Sequence, residues 1–356
     1  MNNTQSIRIT KTKNTRISEL DPEHIHFGNV FSDHMFVMDY ANGEWQAPAI
    51  VPYGPLELSP AVSALHYGQA IFEGLKAYKT SSGEIELFRP MENFKRFNKS
   101  AVRLCMPEIP EALFFEGLKE LLKLDQQWIL TAPGCSLYIR PYMFANDHYL
   151  GVRTALNYKF IIITSPAGAY FSEPLKVVVE QKFVRAAEGG MGFAKAAGNY
   201  GVAIYPTKLA QEKGYHQIIW TDSKEHKYIE ELGMMNFMCV INDTLITPGL
   251  EANSILHGVT RDSILTIAKD WGMPVEERKV SVDEVIQGIE KGTLKEVFGV
   301  GTAATVANIE TIGYAGKDYQ LPKVSANAFS TKAAQQLVDI RNGKVADIHN
   351  WVYKVQ

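Results

Sequence analysis

The sequence predicts a soluble protein of mixed α+β or α/β class in two domains, and three observations predict it. The chain has 356 residues, more than one ordinary hydrophobic core accommodates, so two domains are the natural expectation. Its residues are 46% hydrophobic and 21% charged, the balance of a globular chain able to bury large cores. Strand-like and helix-like stretches alternate irregularly through the first half, and a turn-rich stretch near mid-chain separates it from a second half richer in strands.

Bulk numbers exclude several function classes. Lysine and arginine total 36 against 39 acids, a net charge of −3, which gives no electrostatic case for a nucleic-acid or polyanion partner. Cys105, Cys135 and Cys239 are odd in number, far apart and lack a C-x-x-C spacing. Neither a disulfide framework nor a cysteine metal site is expected, and a reducing cytoplasm fits. No stretch approaches the roughly 20 apolar residues of a membrane span. Although the first 18 residues carry four basic residues and no acid, "SIRITKTKNTRI" alternates as a strand does, so a mature N-terminus is expected rather than a transit peptide.

In chain order, "HMFVMDY" and "EIELFRP" have strand character, whereas "MENFKRFNKSAVRL" and "EALFFEGLKELLKLDQQWI" have helical spacing. "YKFIIITSPAG" is a buried-type strand, and "AYFSEP" after it is rich in turn formers. The expected division is therefore an N-terminal domain over 1–165, a connector over 166–175 and a C-terminal domain over 176–356. In the second half, "LKVVVEQ", "HQIIWTD", "KYIEE", "NFMCVIND" and "EVFGVGTAATV" read as strands, with helices near 201–213, 258–271 and 281–291. "SVDEVIQGIEKG" places a serine three residues before a glutamate, a capping-box start.

One stretch stands apart. "EGGMGFAKAAGNYG", residues 188–201, sets a single lysine among five glycines and three alanines. Glycine at this density marks sharp turning or close approach by another body. A nucleotide-type phosphate loop needs a hydroxyl residue after its lysine, but Lys195 is followed by Ala196 and Ala197. Two readings remain: an interdomain turn with a solvated lysine, or an amine in a crowded pocket that condenses with a carbonyl.

An aldehyde cofactor such as pyridoxal phosphate needs an acid at its ring nitrogen, a donor near its phenolic oxygen and a phosphate cup. "HKYIEELGMMNFMCV" supplies Glu230 and Glu231 at the end of a strand. Neighbouring strand residues face opposite ways, so one carboxylate is expected inward and the other solvated. Tyr200 follows Lys195 by five residues, and "LHGVTRDSIL" opens a helix whose amides at Val259 and Thr260 suit an anion. Thr302 in "FGVGTAATV" is a glycine-flanked hydroxyl. Arg96 in "ENFKRF" is either a phosphate cation or a solvated helical arginine.

"FAKAAGNYG", "EELGMMNF", "LHGVTRDSI" and "FGVGTAATV", with "LHYGQAIFEGLKAYK", "FRPMENFKRF" and "SLYIRPYMFA", together resemble the branched-chain amino acid aminotransferases of the fold-type-IV pyridoxal phosphate class. The match runs in family order from about Phe27 to the C-terminal region. The resemblance implies a two-domain, D-amino acid aminotransferase-like fold: a smaller N-terminal α/β domain and a larger, mixed-sheet or barrel-like domain that binds pyridoxal phosphate. It also implies a homodimer. Lys195 is then the Schiff-base lysine and general base, Glu231 rather than Glu230 pairs with the pyridine nitrogen, and Tyr200 bonds the phenolic oxygen. Arg96, Val259, Thr260 and Thr302 hold the phosphate. Phe27, Tyr67, Phe72, Tyr138, Arg140, Tyr170 and Ala303 line the substrate pocket.

The implied activity is reversible amino transfer between leucine, isoleucine or valine and 2-oxoglutarate, a chemistry of branched-chain amino-acid biosynthesis with two half-reactions sharing one site. The sequence departs from the animal members, which carry a C-x-x-C pair where this chain has Ala304 and Ala307. Met234 stands where some members have a small or hydroxylated residue. The alternatives are other enzymes of the fold type (a D-amino acid or amine transaminase, aminodeoxychorismate lyase) and a non-catalytic binding protein with a glycine-rich anion loop.

Overall fold

The computed structural model describes residues 6–21, 24–80, 82–132, 134–168 and 173–355. The chain packs as two compact units, Met1–Tyr170 with Ala194–Gly198 and Arg341–Gln356, and Phe171–Phe193 with Asn199–Ile340. A linear division at 166–175 does not include the two short returns to the first unit. One of them, 194–198, contains Lys195. The other ends in the strand Val352–Val355, which pairs antiparallel with Ile85–Phe88.

In the first unit, ten strands among the described residues form one sheet. Its spine is antiparallel: His34–Ala41 beside Tyr158–Ala167, then Ser136–Ala145, then Leu75–Lys79 and Ile85–Phe88. The short strand Ala70–Phe72 also pairs with Ser136–Ala145. Two helices supply much of the core. Pro90–Arg103 begins with proline at a first-turn position, where a missing amide hydrogen costs nothing, and buries Phe94, Phe97 and Ala101 at helical spacing. Glu111–Leu124 buries Phe114, Phe115, Leu118, Leu121 and Leu122.

These side chains meet Phe36 and Phe160 of the sheet, with Phe97–Phe160 and Phe36–Phe160 centroids 5.5 and 5.9 Å apart. Each fully buried aromatic of this kind contributes about 1.5–3 kcal/mol. Gly117 permits the close helix–strand approach, since a Cβ there would lie 2.5 Å from the Phe36 ring. The N-terminal stretch expected as a strand is extended-paired only at Arg8–Ile9. Beyond it, Asp33 accepts from the Arg16 amide and Thr15 hydroxyl, and those side-chain bonds replace a ladder.

In the second unit, six strands close on themselves, the barrel-like sheet that the resemblance implies. Around the ring they are Ile229–Leu232, Gln217–Thr221, Leu175–Val179, Thr305–Tyr314, Leu294–Gly301 and Met235–Ile241, which pairs back with Ile229–Leu232. Leu175–Val179 is parallel to both neighbours and the other pairings are antiparallel. Val177, Ile219, Phe237 and Val297 join one buried cluster. "EVFGVGTAATV", expected as a single strand, is two strands around a turn, because Gly301 pairs with Thr305 across it and Thr305 takes φ +62°.

Helix Val282–Glu290 starts as its capping signal predicts, with Ser281 Oγ accepting from the Glu284 amide at 3.1 Å. No helix among the described residues is long and apolar enough to cross a membrane.

Candidate active site

Residues 194–198 return to the first unit and meet its sheet at one bridge. Ala196 bridges Ile71, the Phe72 amide donates to the Lys195 carbonyl at 3.0 Å, and the Ala197 amide donates to Ala70 at 2.9 Å. Ala194 and Ala196 are buried, so larger side chains there would have to displace core. The Lys195 amide donates to Ser100 Oγ at 2.9 Å, and that hydroxyl donates to the Arg96 carbonyl. The backbone on both sides of the lysine is therefore clamped, while Nζ extends over the Phe72 ring, 4.8 Å from its centroid. The small neighbours thus serve pairing and burial, and the lysine is half-buried rather than exposed.

Arg96 is not a solvated helical arginine. It is buried, and its Nε and Nη2 donate to the two carboxylate oxygens of Glu73 at 2.6 and 2.9 Å. Glu73 also accepts from the Gly74 amide at 2.8 Å and from Asn93 at 2.9 Å. Burial alone would raise this carboxyl, but the Arg96 charge and hydrogen bonds, the Lys195 charge and the Gly74 amide hold it below the usual range. Sequence reading missed Glu73. It lies inside "FEGLK", and nothing local shows that it meets an arginine 23 positions on.

An aromatic–arginine cluster completes this unit's share. The Arg140 guanidinium lies 4.5 Å from the Phe72 centroid and 5.3 Å from that of Tyr138, and donates to the Tyr138 hydroxyl at 3.1 Å. Phe27 meets Tyr138 edge-on at 4.8 Å. Among the described residues no backbone carbonyl accepts a hydrogen bond from Arg140. It has no acidic partner among the described residues, and its Nε is buried without a hydrogen bond. Tyr67 does not join this group: it is 44% exposed, with His66 as its ring neighbour. Tyr170 lies outside the described residues.

In the second unit, Glu231 is buried and heavily partnered. Its Oε1 accepts from the Leu256 amide at 2.7 Å and from Asn236 at 3.4 Å, and Arg185 Nε stands 3.2 Å from Oε2. Asn236 pairs with Glu231 across the ladder and also donates to the Leu256 carbonyl at 2.8 Å, which fixes the loop that supplies the amide. The expectation that one of the adjacent carboxylates is solvated is corrected: Glu230 is 7% exposed and Glu231 4%. Glu231 is covered by Arg185 and the Leu256 amide, and Glu230 lies beside Ser254. Arg185 and Asn236 carried no signal in the sequence.

Helix Val259–Asp270 has Gly258 as its N-cap, and its first intrahelical bond runs from the Asp262 amide to the Gly258 carbonyl. The amides of Val259 and Thr260 therefore have no acceptor within the helix. Gly258 is required where it stands, since a Cβ would strike Asn236 Oδ1. Thr302 and Ala303 form the turn between the strands Leu294–Gly301 and Thr305–Tyr314, and Tyr200 lies in the first turn of helix Gly198–Glu212.

A family model described as "Amino-transferase class IV" matches residues 70–312. The chain belongs to that family. Among its relatives, Branched-chain-amino-acid aminotransferase 2 of Bacillus subtilis is 44% identical over 355 residues, 99% of this chain and 97% of that protein. A probable branched-chain-amino-acid aminotransferase of Staphylococcus aureus is 45% identical over 352 residues, 98% of each chain.

Solved aminotransferase structures resemble the fold. The branched-chain aminotransferase of Thermoproteus uzoniensis with norvaline superposes with TM-score 0.75 at 25% identity, covering 91% of this chain and 100% of that one. The T.th. enzyme complexed with N-(5'-phosphopyridoxyl)-L-glutamate gives 0.73 at 26%, covering 90% and 98%. The donor set of this aminotransferase fits a pyridoxal phosphate group. The first unit offers a primary amine on a fixed backbone and a buried arginine, and the second a buried carboxylate paired with Arg185 and an amide, and helix-terminal amides, the donor types such a group uses.

Proposed function

We propose that the chain is a branched-chain amino acid aminotransferase that moves the amino group between leucine, isoleucine or valine and 2-oxoglutarate, with pyridoxal phosphate as cofactor and a homodimer as the working form. The observation that carries the reading is Lys195, whose own amide and carbonyl are both hydrogen-bonded, with the Ala197 amide also held, and whose amine lies over Phe72. When bound, the cofactor supplies an aldehyde to which an amine attaches, and a protonated ring that accepts the electron pair left by the α-proton.

The protein does the rest. Lys195 Nζ would take the proton from the substrate α-carbon and return it to the former aldehyde carbon, two atoms along, so its backbone must not drift. The Glu231 carboxylate keeps a proton on the ring nitrogen by charge, and its bonds from Leu256 and Asn236 and its ion pair with Arg185 hold it in place. Tyr200 holds the phenolic oxygen. Arg96, aimed by Glu73, holds the phosphate with the amides of Val259 and Thr260 and the Thr302 hydroxyl. Phe27, Phe72 and Tyr138 form the apolar wall, Ala303 and Tyr170 are further substrate contacts that the family resemblance implies, and Arg140 receives the second carboxylate of glutamate.

Tyr67 reaches substrate only from a second copy of the chain. That reading is supported by its exposure beside other exposed apolar residues of the same unit, Leu65, Tyr149, Leu150 and Val152. The domain over 176–356 is proposed as the larger cofactor-binding part. The site of action is the cytoplasm.

The test is an amino-donor screen against 2-oxoglutarate, with the visible spectrum recorded on the protein as purified. Leucine, isoleucine and valine are expected as donors well above alanine and above D-amino acids, on a yellow protein. A colourless protein, or one preferring D-amino acids or amines, overturns the proposal.

A further inference from the structure

Two carboxyls and one guanidinium are buried together around Glu230, and their charges do not balance. Arg185 stands 3.2 Å from Glu231 and also donates through Nη2 to the Ser254 carbonyl. Glu231 takes the amide of Leu256 as well. Glu230 has no ion-pair partner of its own among the described residues. Asp222, the other acid facing it, is occupied by the amides of Lys224, Glu225, Lys227 and Tyr228. Among the described residues Glu230 Oε2 is buried without a hydrogen-bond partner, while Arg185 Nε is spent on Glu231. One arginine cannot neutralise two buried anions, and an uncompensated buried charge is costly enough that the group takes up a proton instead.

We propose that Glu230 is the proton-bearing partner of Glu231, a positioning residue whose neutral carboxyl leaves Arg185 committed to Glu231 and keeps the cluster at zero net charge. The proton makes Glu230 a donor, so its orphaned Oε2 can be satisfied by the Ser254 hydroxyl beside it acting as acceptor. Above neutral pH Glu230 ionises, and the cluster that faces the proposed ring nitrogen gains a second negative charge. Burial pushes the Glu230 carboxyl up to about 7, opposed by Ser254 and Arg185 and assisted by the charges of Glu231 and Asp222. The inference rests on the proposed role of Glu231 for its consequence, but not for its proton.

The experiment compares the full-length protein as purified with Glu230→Gln, an uncharged replacement of similar shape. A raised carboxyl costs stability as pH climbs from the unfolded to the folded pKa, because the unfolded chain has already released the proton that the folded one retains. The Tm of Glu230→Gln is therefore expected to gain on wild type between about pH 5 and about pH 8, then hold level. Infrared difference spectra should show a protonated-carboxyl band in wild type at about pH 6 that fades by about pH 9 and is missing from the variant. The visible band of the bound cofactor should move with pH in wild type through the same range, and stay fixed there in Glu230→Gln.

Should Glu230→Gln not fold, Glu230→Asp must shift the infrared midpoint. A Tm difference independent of pH, no such band, or a midpoint untouched by Glu230→Asp overturns the proposal. Missing cofactor absorbance with the Tm and infrared signatures intact strikes the proposed function and leaves the Glu230 proton standing.

Discussion

Glu73 and Glu231 are both buried carboxylates, one wholly inaccessible and the other 4% exposed, yet the company each keeps differs. Glu73 spends both oxygens on the fork of Arg96 and has the Lys195 charge in addition, so its cluster holds more cations than anions. Glu231 shares a single arginine with a second carboxyl, so its cluster holds more acids than bases. The difference follows from what each is proposed to face. A phosphate brings negative charge and calls for cations in surplus, whereas a protonated ring nitrogen brings positive charge and calls for an anion. Substitutions in the two clusters should therefore fail in different ways.

The largest effect is expected at Lys195. Lys195→Ala should lower turnover by about 10⁴-fold and remove the chromophore, while its circular dichroism stays native, because the clamping bonds use the backbone. Retained turnover would dissolve the contrast by removing the reacting amine from the cationic cluster. Next comes Glu231→Gln, for which kcat should fall about 10²–10³-fold, with a much smaller change in cofactor occupancy measured by absorbance. Parallel losses in occupancy and kcat would make Glu231 a binding group like Arg96, and the two clusters would then do the same job.

Glu73→Gln should act on stability first. Breaking one side of a buried ion pair costs about 3–5 kcal/mol, read as a lower denaturation midpoint. The double variant Glu73→Gln/Arg96→Met should recover part of that loss. Because the Glu73 carboxyl is held below its ordinary value of 4.5, its stabilisation is complete above that pH and is lost as pH falls below it. The gap between wild type and Glu73→Gln should accordingly close on acidification. A gap that persisted in acid would show that shape, rather than charge pairing, sets the cost.

How far these clusters were legible in the sequence depended on whether their partners are local. Lys195 stood out because a lone amine among glycines and alanines is compositionally odd, and the Ser281 cap was readable because both partners lie within one turn. The helices over 90–103 and 111–124 followed from their periodicity. Glu73–Arg96 and Glu231–Leu256 join positions 23 and 25 apart in sequence, across strand and loop, and no local pattern encodes such a meeting. The identity of neighbours Glu230 and Glu231 hid which would carry charge. Alternation leads one to expect a solvated carboxyl, but it says nothing about the Ser254–Leu256 loop that lies beside both.

The smallest and most selective effect belongs to Arg140, a cation that neither cluster uses. One pocket must accept both a branched apolar side chain and the carboxylate-tipped side chain of glutamate. A missing methylene costs only about 1–3 kcal/mol against an apolar wall, so Phe27, Phe72 and Tyr138 can rank leucine above alanine but cannot hold a second carboxylate. Arg140 can, since it lies across Phe72 and Tyr138 with Nε unpartnered and no acid bound to it among the described residues. Arg140→Met keeps the apolar bulk and removes the charge. In separate half-reactions it should lower kcat/KM for glutamate and 2-oxoglutarate by about 10–100-fold, the worth of a hydrogen bond to a charged group. Leucine and its oxo acid should be little affected. Equal losses in both half-reactions would assign Arg140 to holding Tyr138 in place through their 3.1 Å hydrogen bond, and the cation that meets glutamate would then have to come from elsewhere in the protein.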